Sequence, residues 1–149
     1  MEIAIHPLAP EKRRPKPKDD KSLVFGRVFS DHMFMVEHTG AKGWHDARIV
    51  PYQPLQMDPA AMVLHYGQGI FEGMKAYRWH NDKICLFRSD QNFKRWNRSA
   101  SRMCMPEMDL DLQARAIEEL LKLDKDWVPR SVGSSLYVRP TMIAVEAHL

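Results

Sequence analysis

Residues 136–140 read Leu-Tyr-Val-Arg-Pro. Side chains alternate along a strand, so Tyr137 and Arg139 fall on one face. A guanidinium fork that donates two hydrogen bonds, with a phenol adding a third, suits a carboxylate. On a solvated sheet face the same two residues are an ordinary surface pair. A second set of cations, Arg95, Arg98 and Arg102, occupies a stretch whose apolar residues Phe93, Trp96, Ala100 and Met103 recur at helical spacing. Each residue turns a helix by about 100°, which places the three arginines away from the apolar stripe. Two readings stay open for them: a solvated basic face, or one arginine reaching an anion across the edge of a sheet.

A third candidate is the glycine-rich run LHYGQGIFEG at 64–73. A dinucleotide loop needs GxGxxG between a strand and a helix, so that backbone N–H groups meet a pyrophosphate. Here the spacing is Gly67-x-Gly69-x-x-x-Gly73, one residue too long, and the residues that follow are strand-like. No GK[ST] follows, which excludes a P-loop. The run reads instead as a bent entry into a strand, where glycine permits close approach of another group. Nucleophile motifs of the GxSxG and SxxK kinds are absent. No lysine stands out as a carbonyl-reactive amine, which needs burial or a cationic neighbour to depress its pKa. The seven histidines show no ligand spacing, so no metal site is expected. Cys85 and Cys104 have apolar neighbours and read as buried free thiols of a reducing cytoplasm.

The elements that must position these residues follow from period and punctuation. LVFGRVFS (23–30), HMFMVEH (32–38) and ARIVPY (47–52) are strand-like, with GAKG at 40–43 as a turn. Residues 70–79 and 83–88 form a hairpin candidate around Asn81-Asp82. Ser89-Asp90 offers an N-cap for a helix over 90–103, and Pro106 stops it. Asp109 caps a second helix that buries Leu112, Ile117, Leu120 and Leu121 and ends before Pro129. A long strand-like segment, 134–147, closes the order. Strands, two main helices and a strand, segregated in this way, predict an α+β domain with an antiparallel sheet.

The chain is the size of one ordinary domain, at 149 residues. Residues 11–21 hold six basic and three acidic groups and so account for the whole net charge of +3. The remainder is neutral, which argues against a nucleic-acid face. Four prolines among these charges predict a mobile or extended arm over 1–21, with the domain proper at 22–149. No apolar run approaches the roughly 18 residues of a membrane span, and the opening MEIAIHPLAPEKRR does not read as a signal peptide. The stop at Leu149, just past a strand-like run, reads as a cut between domains or inside a longer protein.

Taken together, five stretches resemble a known family. LVFGRVFSDHMFMVEH with GWHDARIVPY, then LHYGQGIFEGMKAYRW, LFRSDQNFKRWNRSASRM, LDKDWVP and SLYVRPT look like the N-terminal domain of branched-chain amino acid aminotransferases, pyridoxal-phosphate enzymes of fold type IV. The resemblance covers about residues 22–149. It implies a small domain whose sheet forms one wall of an active site. A larger C-terminal domain supplies the other wall, and the full-length enzyme is a cytoplasmic homodimer acting on amino-acid and 2-oxo-acid substrates. By position, Arg95 matches the arginine that holds the cofactor phosphate, which displaces the solvated-face reading. Tyr137 and Arg139 match residues that bind substrate carboxylates, the arginine serving the distal carboxylate of glutamate or 2-oxoglutarate. Phe25, Tyr66 and Phe71 match the apolar lining for branched side chains, with Tyr66 reaching a neighbouring subunit's pocket.

In that family the Schiff-base lysine and the carboxylate facing the pyridinium nitrogen belong to the second domain. The resemblance therefore implies no catalytic residue within this stretch, which alone should be catalytically silent and should expose an apolar sheet face. Two competing readings remain. One is another fold-type-IV enzyme, a D-amino acid aminotransferase or an aminodeoxychorismate lyase. The other is a non-catalytic binding module that keeps the fold.

Overall fold

A computed structural model describes residues 1–20 and 23–149. The expected boundary between arm and domain, at 21–22, lies outside the described residues. The chain forms an α+β domain, as its order of strands and helices predicts. Strands β1 (Ala4–Ile5), β2 (His32–Thr39) and β3 (Gly43–Pro51) make one sheet in the order β1-β3-β2. The β2–β3 hairpin turns at the predicted GAKG, and a bulge lies between Met35 and Glu37. β1 runs parallel to β3, pairing Ala4 with Arg48 and Ile5 with Ile49.

The second layer of strands carries the candidate residues. Helix α1 (Met62–Tyr66) leads into β4 (Gly69–Phe71) and β5 (Met74–Arg78). β6 (Ile84–Leu86) returns along β5 as the predicted hairpin, with Tyr77 opposite Cys85. Helices α2 (Ser89–Arg102) and α3 (Leu110–Leu123) follow, and then β7 (Leu136–Val138) and β8 (Thr141–Ile143). The two long strands expected at 70–79 and 134–147 each appear as two short ones. Their pairing nevertheless keeps one register: Phe71 faces Thr141 on one side of the break and Met74 faces Val138 on the other. Pro140 lacks the N–H that a continuous ladder needs, yet its carbonyl still accepts the Glu72 N–H at 3.0 Å.

Alternation sorts the side chains. Met74 and Ala76 point to the helices and join Phe93 of α2, Ile117 and Leu121 of α3, and Val128 in one buried cluster. Ile84, Leu86, Leu136 and Val138 pack on its margin. Ile70, Trp96, Ala100 and Met105 make a second cluster. Full burial of such side chains contributes about 1.5–3 kcal/mol each. Asp109 caps α3 as predicted, its carboxylate accepting the Leu112 N–H at 2.9 Å.

Several expectations change. Residues 23–30 form turns and irregular backbone rather than a strand, and Gly26 sits at φ 74°. A third helix, α1, has no counterpart in the expected order. It ends where Gly67 takes the left-handed conformation at φ 64°, which suits a residue without Cβ. The N-cap of α2 is Arg88, left-handed and without a side-chain cap, instead of Ser89 or Asp90. Leu120 is only half-buried, and Cys85 and Cys104 are exposed free thiols rather than buried ones.

The N-terminal residues are extended and largely exposed, but they are also tied down. The His6 N–H donates to the Ile49 carbonyl at 2.9 Å, and the Leu8 N–H to Nε2 of buried His32 at 2.8 Å. Nδ1 of His32 meets Asp124 Oδ1 at 2.6 Å, so one imidazole joins the N-terminal segment to the end of α3. The Arg14 N–H donates to Asp31 Oδ1 at 3.0 Å, and Asp31 Oδ2 accepts the Trp127 indole N–H at 2.9 Å. No helix among the described residues is long and apolar enough to cross a membrane.

Candidate functional site

The open face of the second sheet is built from the residues that alternate with its core. Phe71, Lys75 and Tyr77 are exposed there, and Phe87 beyond β6 is 77% exposed. Tyr137 projects beside them from β7, and Arg139 follows it two residues on. The Arg139 Nη2 group donates to the Tyr137 hydroxyl at 3.1 Å, so the pair deduced from alternation does form. The Arg139 guanidinium also lies over two rings, 4.5 Å from the Phe71 centroid and 5.1 Å from that of Tyr137. Phe25 meets Tyr137 edge-on with ring centroids 5.0 Å apart. Four predicted residues, Phe25, Phe71, Tyr137 and Arg139, are thus one cluster, which presents a cation on an aromatic floor.

Tyr66 does not join it. It ends α1, is 62% exposed, and has its ring 6.4 Å from that of His65.

Beneath the cluster, Gly73 supplies a close approach. A Cβ at this position would overlap the Tyr137 hydroxyl and ring, so the phenol can lie across the strand only because residue 73 has no side chain. Beside Gly73, Glu72 points the other way, into the layer between sheet and helix α2. It is 6% exposed.

A buried carboxylate needs partners, and Glu72 has several. Its Oε2 accepts the Gly73 N–H at 3.0 Å, the Asn92 amide at 3.1 Å and Arg95 Nη2 at 2.8 Å, while Oε1 accepts from Arg95 Nε. Burial pushes the Glu72 carboxyl up, but the bonds from Arg95, Asn92 and Gly73 outweigh it and hold the group below the usual carboxylate range. The same bonds from Glu72 raise the Arg95 guanidinium above its ordinary value.

Arg95 therefore does not lie on an idle basic face. Its side chain is 55% exposed while two of its nitrogens bind a buried acid. The N–H groups of Nη1 take no part in that pairing, so a second anion can be met from the solvent side. Arg98 and Arg102, the other two arginines of the helix, lie outside this pairing.

The sequence reading missed Glu72, Asn92 and the part played by Gly73. A signal was present for the first: alternation from Ile70 and Met74 puts Glu72 on the packed face, where a lone charge demands a partner.

No model of a known protein family matches the chain. Individual proteins do. The chain is 51% identical over 137 residues to branched-chain-amino-acid aminotransferase 2 of Bacillus subtilis, a match that takes in 92% of this chain. It is 49% identical over 134 residues, or 90% of the chain, to the cytosolic branched-chain-amino-acid aminotransferase of Saccharomyces cerevisiae. By sequence, the chain is similar to branched-chain aminotransferases along part of their length. It spans 38% of the length of the Bacillus relative and 36% of the yeast one.

Solved branched-chain aminotransferases share the fold. One, the T.th. enzyme complexed with N-(5'-phosphopyridoxyl)-L-glutamate, superposes with a TM-score of 0.52 at 26% identity, over 62% of this chain and 29% of that one. The enzyme of Escherichia coli gives 0.53 at 23% identity, over 64% and 30%, and supports the fold alone.

Proposed function

We propose that these residues serve a pyridoxal-phosphate-dependent branched-chain aminotransferase, as its small domain. In this reading Arg95 holds the cofactor phosphate and Tyr137 with Arg139 receives substrate carboxylates. Phe25 and Phe71 line the space for aliphatic side chains. The observation that carries it is the tripeptide Phe71-Glu72-Gly73, which touches Arg95, Tyr137 and Arg139 and supplies Phe71 itself. Phe71 lies under the Arg139 guanidinium, Glu72 binds Arg95, and Gly73 makes room for Tyr137.

The residues fit the cofactor. A half-exposed arginine with donors left over from a buried ion pair suits a phosphate dianion. When bound, the cofactor supplies the electron sink for removing a proton α to the amino group. The chain's own residues bind and orient. Arg139, at the edge of an aromatic floor, lets a dicarboxylic acid reach a cation while an aliphatic side chain rests on the rings.

Leucine, isoleucine and valine with 2-oxoglutarate are the substrates this reading assigns. It places the attaching lysine in a further domain and leaves these residues to bind and orient. A cytoplasmic homodimer, with Tyr66 at a neighbouring subunit's pocket, belongs to the same reading. The exposure of Tyr66 and the cytosolic yeast relative support those two points.

The test is transamination of leucine with 2-oxoglutarate by the intact protein, alongside Arg95→Ala and Arg139→Ala. Loss of a charged hydrogen bond is worth about 1.5–3 kcal/mol, or roughly 10- to 150-fold in affinity. Arg95→Ala should lose this factor in pyridoxal-phosphate affinity. Arg139→Ala should lose it in KM for 2-oxoglutarate, with leucine little affected. Wild-type behaviour in both variants would falsify the assignment.

A further inference from the structure

We infer that Glu72 is a positioning residue for anion binding: it fixes the Arg95 fork so that the remaining donors meet a phosphate already oriented. The inference rests on the reading that Arg95 faces the cofactor phosphate. The geometry has three parts. Glu72, in the break between β4 and β5, sits on the packed side of the sheet at 6% exposure, whereas Arg95 is half exposed. Its carboxylate takes Nε and Nη2, the edge of the guanidinium nearer the side-chain stem, and leaves Nη1 uncommitted. Glu72 is itself held from two directions, by the N–H of Gly73, the next residue in the break between β4 and β5, and by the Asn92 amide one helical turn before Arg95. Asn92 is clamped in turn, since its amide also donates to the Gly73 carbonyl at 3.0 Å.

An exposed arginine left to itself samples many rotamers, and ordering it on a ligand costs about 2- to 13-fold in affinity. A buried partner that has already ordered the fork removes that cost. Glu72 also ties the two ends of the site together. The Gly73 amide it accepts belongs to the residue over which Tyr137 lies, so movement of the carboxylate disturbs both the arginine and the seat of the phenol.

Positioning and simple charge predict opposite signs, which makes the inference testable. Removing a carboxylate next to an arginine should, on Coulomb grounds alone, strengthen the binding of an anion. If Glu72 acts by holding the fork, removing it weakens that binding instead. The experiment compares pyridoxal 5'-phosphate with pyridoxal on the intact protein as wild type, Glu72→Gln, Asn92→Ala and Arg95→Ala.

Glu72→Gln should lose about 2- to 13-fold in affinity for the phosphate ester. Pyridoxal, which has no phosphate to be met, should bind unchanged. Asn92→Ala keeps the charge but loosens the carboxylate, and should show a smaller loss of the same kind. It also serves where Glu72→Gln does not fold. Equal or tighter binding of the ester in Glu72→Gln overturns the inference, as does an equal loss for ester and pyridoxal in both variants, which marks a general structural role. If Arg95→Ala leaves the ester's affinity intact, the phosphate assignment fails instead, and the two failures are distinguishable.

Discussion

The two faces of the strands β4, β5 and β7 are made from alternate residues of the same short segments, yet they are held by different means. On the helix side, Met74, Ala76, Leu136 and Val138 pack against Phe93, Ile117 and Leu121. On the open side, Phe71, Tyr137 and Arg139 hold one another through a hydrogen bond and a guanidinium lying over both rings, with Phe25 edge-on to the phenol. One face is fixed by excluded water, so any loss of volume is felt. The other is fixed by a few directional contacts and by the missing side chain at Gly73. The packed face sets stability and the open face is free to serve binding.

The largest expected effect tests that division directly. Phe93→Ala removes a ring that is 6% exposed from the middle of the packed cluster, and should cost about 3–5 kcal/mol. Phe87→Ala removes a ring of the same kind that is 77% exposed, and should cost less than about 0.5 kcal/mol. Urea midpoints of the two variants give the comparison. Similar losses would break it, because the open face would then be packed.

Next in size is Gly73→Ala, where the faces meet. A methyl group would overlap the Tyr137 hydroxyl and ring. Overpacking of this sort costs about 1–3 kcal/mol. Since the clash is with one movable ring, Tyr137→Ala should relieve part of it, and the double variant should lose less than the two single losses together. Strict additivity, measured by the same denaturation, would mean that Tyr137 does not rest on Gly73.

Much of the fold is readable in advance because it depends on local period. Alternation puts Tyr137 and Arg139 together, helical spacing finds the buried stripe Phe93, Trp96 and Ala100, and Asp109 marks the start of α3. What cannot be read depends on pairing between distant segments. Residues 23–30 have strand-forming composition but form no strand, and Phe25 is instead delivered to Tyr137. The proline-rich N-terminus looks unattached, yet it is tied to His32 and Asp31, whose partners Asp124 and Trp127 lie 92 and 96 residues further on. Arg95 looks solvated because a helical wheel shows only its own helix. Its partner Glu72 is on the strand side, 23 residues earlier.

Glu72 is the place where the packed face breaks its own rule, and pH sharpens that exception. Its carboxyl is held below the ordinary value because Arg95, Asn92 and Gly73 together overcome the effect of burial. Asp31 is lowered too, with burial opposed by the Arg14 N–H and the Trp127 indole, and Asp20 is lowered by the N–H groups of Ser131 and Arg130. A group lowered in the folded state stabilises it above its unfolded pKa, and the gain disappears as pH falls through the folded value. Stability should therefore hold down to the ordinary carboxylate range near about 4 and fall below it. Denaturation midpoints taken between neutral pH and acid should drop less steeply in Glu72→Gln than in wild type. An unchanged slope would mean that the pair contributes nothing to the acid limb.

The smallest effect belongs to the open face alone. Arg139→Lys keeps the charge but loses the planar fork that covers Phe71 and donates to Tyr137. Cation–π contacts at exposed sites are worth about 0.5–1 kcal/mol, so the stability change should be no larger. Phe71→Leu removes the ring from the other side of the contact. A double-mutant cycle of the two isolates their interaction, since each single change leaves the strand pairing intact. A coupling of about half a kcal/mol would show that the open face orders its own arginine before any ligand arrives. A coupling near zero would leave the Tyr137 hydroxyl to order it, and carboxylate affinity should then depend on Tyr137→Phe far more than on Phe71→Leu.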